Sequence, residues 1–236
     1  MKNKQKVCLI TGASSGIGRA IAVAMKADGH KLVLTARRKE RMDELGSEGV
    51  DVVAGDLTSH EFLDSLDKYV YDKFGRCDIL FNCAGVQVSD SIENVDIDKM
   101  SFMVRLNVES TFRLSYRFLK RFKAKGYGHI INISSILGTK VRATAGAYAG
   151  TKYALEALSE ALRMELAGTN IKISCIEPGL VMTELHKDWK VHPSISMRIH
   201  EPLVTGDIVE AVRYILAQPD HVRIPKLMIL PRDHVI

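Results

Sequence analysis

The sequence predicts a single α/β domain: a doubly wound parallel sheet of about seven strands with helices on both faces. Three observations carry this. Short, near-continuous apolar runs alternate with helical patterns along the chain, as expected of strands buried on both faces. The first run ends in a glycine-rich turn that opens a helix. No repeat, linker or low-complexity tract divides the 236 residues, which are enough for one substantial core.

Residues 6–11 read as the first strand. Residues 11–18 (Thr-Gly-Ala-Ser-Ser-Gly-Ile-Gly) follow, then an alanine-rich helical run. Strand, glycine turn and helix together suit a dinucleotide pyrophosphate, because glycines let backbone approach the phosphates and a helix N-terminus offers free N–H groups. The spacing is Gly-x-x-x-Gly-x-Gly, and a plain tight turn is the competing reading.

Residues 31–36 form the second predicted strand. An acid at its end, about 20 residues past the glycines, would hold the ribose 2′-hydroxyl of NAD. Arg37 and Arg38 stand there instead, and guanidiniums can hold a 2′-phosphate, which favours NADP. Ser15 adds no charge. The alternative is that the two arginines only open a charged helix.

Residues 50–54 give a third strand, followed by Asp56 and Leu57 at its ligand-side end. Asp56 could contact adenine, or Asp56 or Thr58 could serve near a helix N-cap. Residues 59–74 are an amphipathic helix. Residues 77–82 are the fourth strand, running into Cys83, Ala84 and Gly85, small residues that leave room for a ligand. Residues 98–125 form one long helix, with Phe102, Met103, Leu106, Phe112, Leu114, Phe118, Leu119 and Phe122 on more than one face. That surplus predicts a partner helix and a homodimer or homotetramer. Asn107, inside this run, reads as a structural residue bonding nearby backbone.

Residues 129–133 are the fifth strand, leading to Ser135. Residues 172–176 are the sixth, leading through Pro178, Gly179 and Val181 to Thr183. Residues 184–205, with Trp189 and three histidines, read as a mobile substrate flap. A last helix at 207–217 and a closing strand at 227–230 complete the sheet.

Between the fifth and sixth strands, alanines and leucines recur at helical spacing over 147–167. Tyr148 and Lys152 then lie one turn apart, their Cβ atoms about 5–6 Å apart. Bringing a phenol from its ordinary pKa of about 10 to about 7 takes roughly 4 kcal/mol. One cation about 5 Å away supplies on the order of 3 kcal/mol at a dielectric of about 20, and an oxidised nicotinamide ring nearby would complete the shift. Alone, the spacing is weak evidence, and a half-buried tyrosine beside a solvated lysine is the more ordinary reading; other segments have to overturn it.

The bulk properties narrow the classes. No apolar run approaches the ~20 residues of a membrane span. The basic first six residues precede an apolar segment too short for a signal peptide. Cys8, Cys77, Cys83 and Cys175 lack metal or C-x-x-C spacing and read as free thiols of a reducing cytoplasm. The net charge of +5 is dispersed, which argues against nucleic acid and suits an anionic cofactor. His186, His192 and His200 lack metal-ligand spacing, so no metal is expected.

Taken in order, these residues resemble the short-chain dehydrogenase/reductase family over nearly the whole chain. The matching elements are the 11–18 turn, Asn82-x-Ala84-Gly85, Asn107, Ser135, Tyr148-x-x-x-Lys152 thirteen residues later, and Pro178-Gly179. Cys83 departs from the family, which more often has asparagine there, and this puts a local backbone-holding bond in doubt. The region after the sixth strand is loosely similar to a bacterial branch acting on serine and other 3-hydroxy acids.

The resemblance implies a Rossmann-type fold and an NADP-dependent oxidoreductase of a small carbonyl or secondary alcohol compound. An NAD-preferring enzyme and a non-catalytic NADP sensor are the rival readings. Tyr148 would be the general acid or base, Lys152 would lower its pKa and hold the nicotinamide ribose, and Ser135 would bond the substrate oxygen. Asn107 would hold a water leading to Lys152, and Thr183 would bond the carboxamide. The candidate cofactor contacts are Gly12, Ser14, Ser15, Gly16, Ile17, Gly18, Arg37, Arg38, Asp56, Leu57, Asn82, Ala84, Gly85, Tyr148, Lys152, Pro178, Gly179, Val181 and Thr183.

Overall fold

The computed structural model describes residues 5–187, 189 and 191–235. The basic residues 1–4, two positions of the expected flap and the last residue lie outside this range.

Seven parallel strands form one sheet: β1 (Val7–Thr11), β2 (Lys31–Thr35), β3 (Val50–Val52), β4 (Ile79–Asn82), β5 (Tyr127–Ile133), β6 (Asn170–Pro178) and β7 (Lys226–Ile229). Their order is β3-β2-β1-β4-β5-β6-β7, with Thr11 level with Thr35, and Asn82 with Asn132. Winding reverses between β1 and β4. There the connecting segments diverge to opposite faces and leave a crevice past the carboxyl ends of the strands.

Side-chain alternation divides the apolar runs between two cores. Cys8, Ile10, Leu32, Leu34 and Phe81 pack with α1 (Gly16–Ala27) and the late helix Thr205–Leu216. Leu9, Val33 and Leu80 pack with Leu63, Phe118 and Phe122 on the other face. This double burial is why the strands read as unbroken apolar stretches. The helices enclosing the sheet include α2 (Lys39–Asp43), α3 (His60–Phe74), α4 (Ile97–Val104), α5 (Thr111–Lys125), α6 (Gly146–Glu165), the short α7 (Pro193–Ser196) and α8, the late helix just named.

The expected helix over 98–125 is interrupted. Residues Arg105–Ser110 form a π-helical turn between α4 and α5. Ser110 Oγ donates to the Arg105 carbonyl five residues back, 3.0 Å away, and Asn107 is drawn towards the Val86 backbone. The apolar surplus of this region is mostly absorbed within the chain: Met103, Leu114, Phe118, Leu119 and Phe122 are buried, whereas Val104 and Tyr116 are exposed. The sixth strand is longer than expected and takes in Glu177 and Pro178. The expected flap is partly regular, with a 3-10 turn at Glu184–His186 and α7.

Candidate active site

The crevice at the reversal of winding is a cleft of about 940 Å³. The glycine turn lies at one end. Gly12 has φ +66°, and a Cβ there would stand 2.9 Å from Ala84 Cα. A Cβ on Gly18 would stand 2.5 Å from the Gly12 carbonyl oxygen. These glycines therefore let β1, the turn, α1 and the β4 end close on one another, in addition to admitting a ligand. No side chain caps α1, and no acid occupies its first turn. Its free N–H groups, with Gly16, Ile17 and Gly18 on the cleft wall, suit a pyrophosphate.

Thr11 secures the β4 end. Its hydroxyl donates to the Phe81 carbonyl at 3.2 Å and accepts from the Cys83 and Ala84 N–H groups at 3.0 and 3.1 Å. The backbone at Cys83 is thus held from β1. Cys83 is half-buried on the cleft wall, and desolvation pushes its thiol up to about 12. Asn82 stands behind the wall, where Nδ2 donates to Asn132 Oδ1 at 2.8 Å and to Ser115 Oγ at 3.1 Å. Asn132 continues the chain to Ser159 Oγ at 2.9 Å, linking β4 and β5 to α6.

On α6, Tyr148 and Lys152 both line the cleft and both are 7% exposed. Lys152 Nζ lies 5.7 Å from the Tyr148 ring centroid and donates to the Ile133 carbonyl at 2.9 Å. Ser135, at the end of β5, faces the phenol. Burial pushes Tyr148 up to about 12, and the Ser135 hydroxyl only partly offsets it. Burial also brings Lys152 down to about 8. Desolvation of the phenolate keeps the phenol protonated in the free protein, and the acidic phenol of the sequence reading needs a second positive charge, an oxidised nicotinamide ring. A protonated Tyr148 is what a proton donor requires.

Asn107 is buried behind Gly85. Its Oδ1 accepts from Val86 N–H at 3.0 Å, and its Nδ2 donates to the Val86 carbonyl at 2.9 Å and Thr151 Oγ1 at 3.3 Å. The reading of Asn107 as a backbone-holding residue matches this geometry. Neither Asn82 nor Asn107 reaches the cleft surface; both brace it. The other candidate positions, Ser14, Ser15, Leu57, Ala84, Gly85, Pro178, Gly179, Val181 and Thr183 among them, line it. Asp56 also lines it while accepting at Oδ1 from the Thr58 N–H and hydroxyl at 2.9 and 2.8 Å. The N-cap of α3 is Ser59, which accepts from Phe62 N–H at 3.1 Å.

Arg37 and Arg38 are both on the wall, differently engaged. Arg37 stacks over Phe102, 5.5 Å from the ring centroid. Arg38 donates to Ser15 Oγ at 2.7 Å and to Glu184 at 3.2 Å. Arg41 also binds Glu184, at 2.7 Å. Sequence reading missed Arg41 and Glu184 because 143 residues separate them. It also missed the far wall of the cleft, where Gln87 Oε1 lies 3.2 Å from His186 Nε2 and Arg142 faces the same cleft. Among the described residues no three His, Cys, Asp or Glu side chains are placed to hold a metal ion, and no helix is long and apolar enough to cross a membrane.

A parallel sheet with a glycine turn, an open helix N-terminus and a tyrosine–lysine pair in one cleft defines a dinucleotide-dependent oxidoreductase. The chain belongs to the short-chain dehydrogenase family, whose pattern it matches over residues 6–193. It is 35% identical over 230 residues to an uncharacterized oxidoreductase of Staphylococcus aureus (strain USA300), covering 96% of this chain and 97% of the relative. Many solved structures are similar, and three of them are informative. One is an alcohol dehydrogenase from the archaeon Thermococcus sibiricus complexed with 5-hydroxy-NADP (28% identity, 99% of both chains, TM-score 0.88). Another is a serine dehydrogenase complexed with NADP+ (28%, 94% of both, 0.87). The third is a 3-ketoacyl-(acyl-carrier-protein) reductase from Brucella melitensis complexed with NADH (25%, 98% of both, 0.87).

Proposed function

We propose that this NAD(P)-dependent oxidoreductase prefers NADP(H) and interconverts a small carbonyl compound and its secondary alcohol, with 3-hydroxy acids the first class to try. The observation that carries the reading is the meeting of Ser135, Tyr148 and Lys152 in the cleft that also holds the glycine turn and Arg37 and Arg38. The NADP-bound alcohol and serine dehydrogenases support the cofactor and substrate class.

When bound, the nicotinamide supplies or takes the hydride. Tyr148, protonated in the free protein, gives its proton to the carbonyl oxygen during reduction and takes one in the reverse direction. Ser135 donates a hydrogen bond to that oxygen as negative charge develops on it. Lys152, held by the Ile133 carbonyl, binds the nicotinamide ribose hydroxyls and favours the phenolate. Thr183 orients the carboxamide. Asn107 and Asn82 hold the wall on which these groups depend.

The four cysteines are free, which supports a reducing cytoplasm, and exposed Val104 and Tyr116 leave apolar surface for self-association. The NAD-preferring alternative draws on Glu184, which occupies Arg38, and on the NADH-bound reductase among the similar structures. A panel of ketones, aldehydes and 3-keto or 3-hydroxy acids, assayed with NADPH and NADH, tests the reading. Turnover of a panel member with NADPH is expected. Silence with cofactor bound would leave a sensor.

A further inference from the structure

Every nitrogen of the Arg38 guanidinium is engaged. Nε and Nη2 donate to Ser14 Oγ at 3.3 and 3.1 Å, Nη2 also to Ser15 Oγ, and Nη1 to Glu184 Oε2. Glu184 lies in the first turn beyond β6, where Arg41 Nη1 reaches both its oxygens, 2.7 and 2.8 Å away. The serine hydroxyls can rotate to serve an incoming anion. A carboxylate cannot, because it is acceptor-only and carries like charge.

We propose that Glu184 is an internal competitor for the cofactor's 2′-phosphate: it occupies Arg38 and Arg41 in the free protein and gives way when that phosphate enters. The proposal rests on the NADP reading of Arg37 and Arg38. A phosphate monoester carries close to two charges and three acceptor oxygens, so it outmatches a carboxylate at the same guanidinium. The ion pair is exposed, at 38% and 43% of its two side chains, so it is weak enough to yield. Arg41 and then Arg38 hold the Glu184 carboxyl below its ordinary range, so it is an anion whenever the cofactor arrives.

Release would be felt in the substrate segment. Glu184 opens the turn Glu184–His186, and the His186 ring packs edge-on against Trp189 with centroids 5.0 Å apart. Trp189 is the only tryptophan of the chain. Selection between cofactors and the position of the substrate wall are thereby coupled through one side chain.

The test compares 2′,5′-ADP with 5′-ADP on the full-length protein and on Glu184→Gln, by calorimetry and Trp189 emission. Wild type is expected to prefer 2′,5′-ADP, and the variant to bind it about two- to fivefold more tightly, with 5′-ADP unchanged. In wild type, 2′,5′-ADP and not 5′-ADP should shift the emission. Equal or weaker 2′,5′-ADP binding by the variant overturns the proposal and makes Glu184 a strut for Arg38. An emission change of the same size with both nucleotides removes the coupling to the flap. If neither protein distinguishes the two nucleotides, the NADP reading itself has failed.

Discussion

Lys152 Nζ stands 5.7 Å from the centre of the Tyr148 ring, with both side chains almost fully buried on one face of α6. The amine is anchored to the Ile133 carbonyl on β5, so its position relative to the phenol is set by the sheet as well as by the helix. Burial leaves the phenol protonated and the amine easier to deprotonate than usual. The free protein thus holds a protonated phenol beside a buried amine, the state the proposed proton transfer during reduction requires.

Tyr148→Phe removes one hydroxyl and no packing volume. Turnover should fall by roughly 10²–10⁴-fold while NADPH binding and the melting temperature stay close to wild type. Steady-state rates beside thermal melts check this. Retained turnover would reassign the acid.

Arg37→Asp with Arg38→Ala takes away both cations of the β2 end. The Michaelis constant for NADPH should rise far more than that for NADH. A parallel rise in both would mean that these arginines do not read the 2′-phosphate.

Gly18→Ala puts a methyl 2.5 Å from the Gly12 carbonyl oxygen, a backbone atom that cannot swing aside. Loss of dinucleotide binding is expected, with a cost to stability of a few kcal/mol, about 1–3, as for other overpacked sites. Calorimetric titration with NADPH is the measurement. Normal affinity would show that the turn can relax.

His129 is buried, with Nε2 3.0 Å from Ser174 Oγ, and burial carries its pKa down to about 3. The unfolded ring protonates near 6.5 and the folded one does not, so unfolding takes up a proton throughout the window between. Stability is therefore full above about pH 6.5 and falls with acid, by about 2 kcal/mol at pH 5 from this ring. In His129→Gln the decline in melting temperature from pH 7 to pH 5 should be shallower than in wild type. An identical decline would place the acid sensitivity elsewhere, His186 being the next candidate because burial takes it down to about 4.

The alternation of apolar runs and helical patterns, the glycine turn and the Tyr148–Lys152 spacing are local properties, and the chain states them openly. They determine a doubly wound sheet and the residues that one cleft edge must receive, whereas the strand order came from the structure. Tertiary structure decided the rest. The π-helical turn at Asn107 depends on the Val86 backbone, which periodicity within 98–125 cannot register. The hold of Thr11 on Cys83 and Ala84, and of Glu184 on Arg38 and Arg41, joins residues 72 to 146 positions apart. The direction of the Tyr148 shift turned on burial, a quantity that exists only once β5, β6 and α6 have closed around the ring. Spacing along a chain encodes which side chains can meet, and only packing sets how much water is left between them.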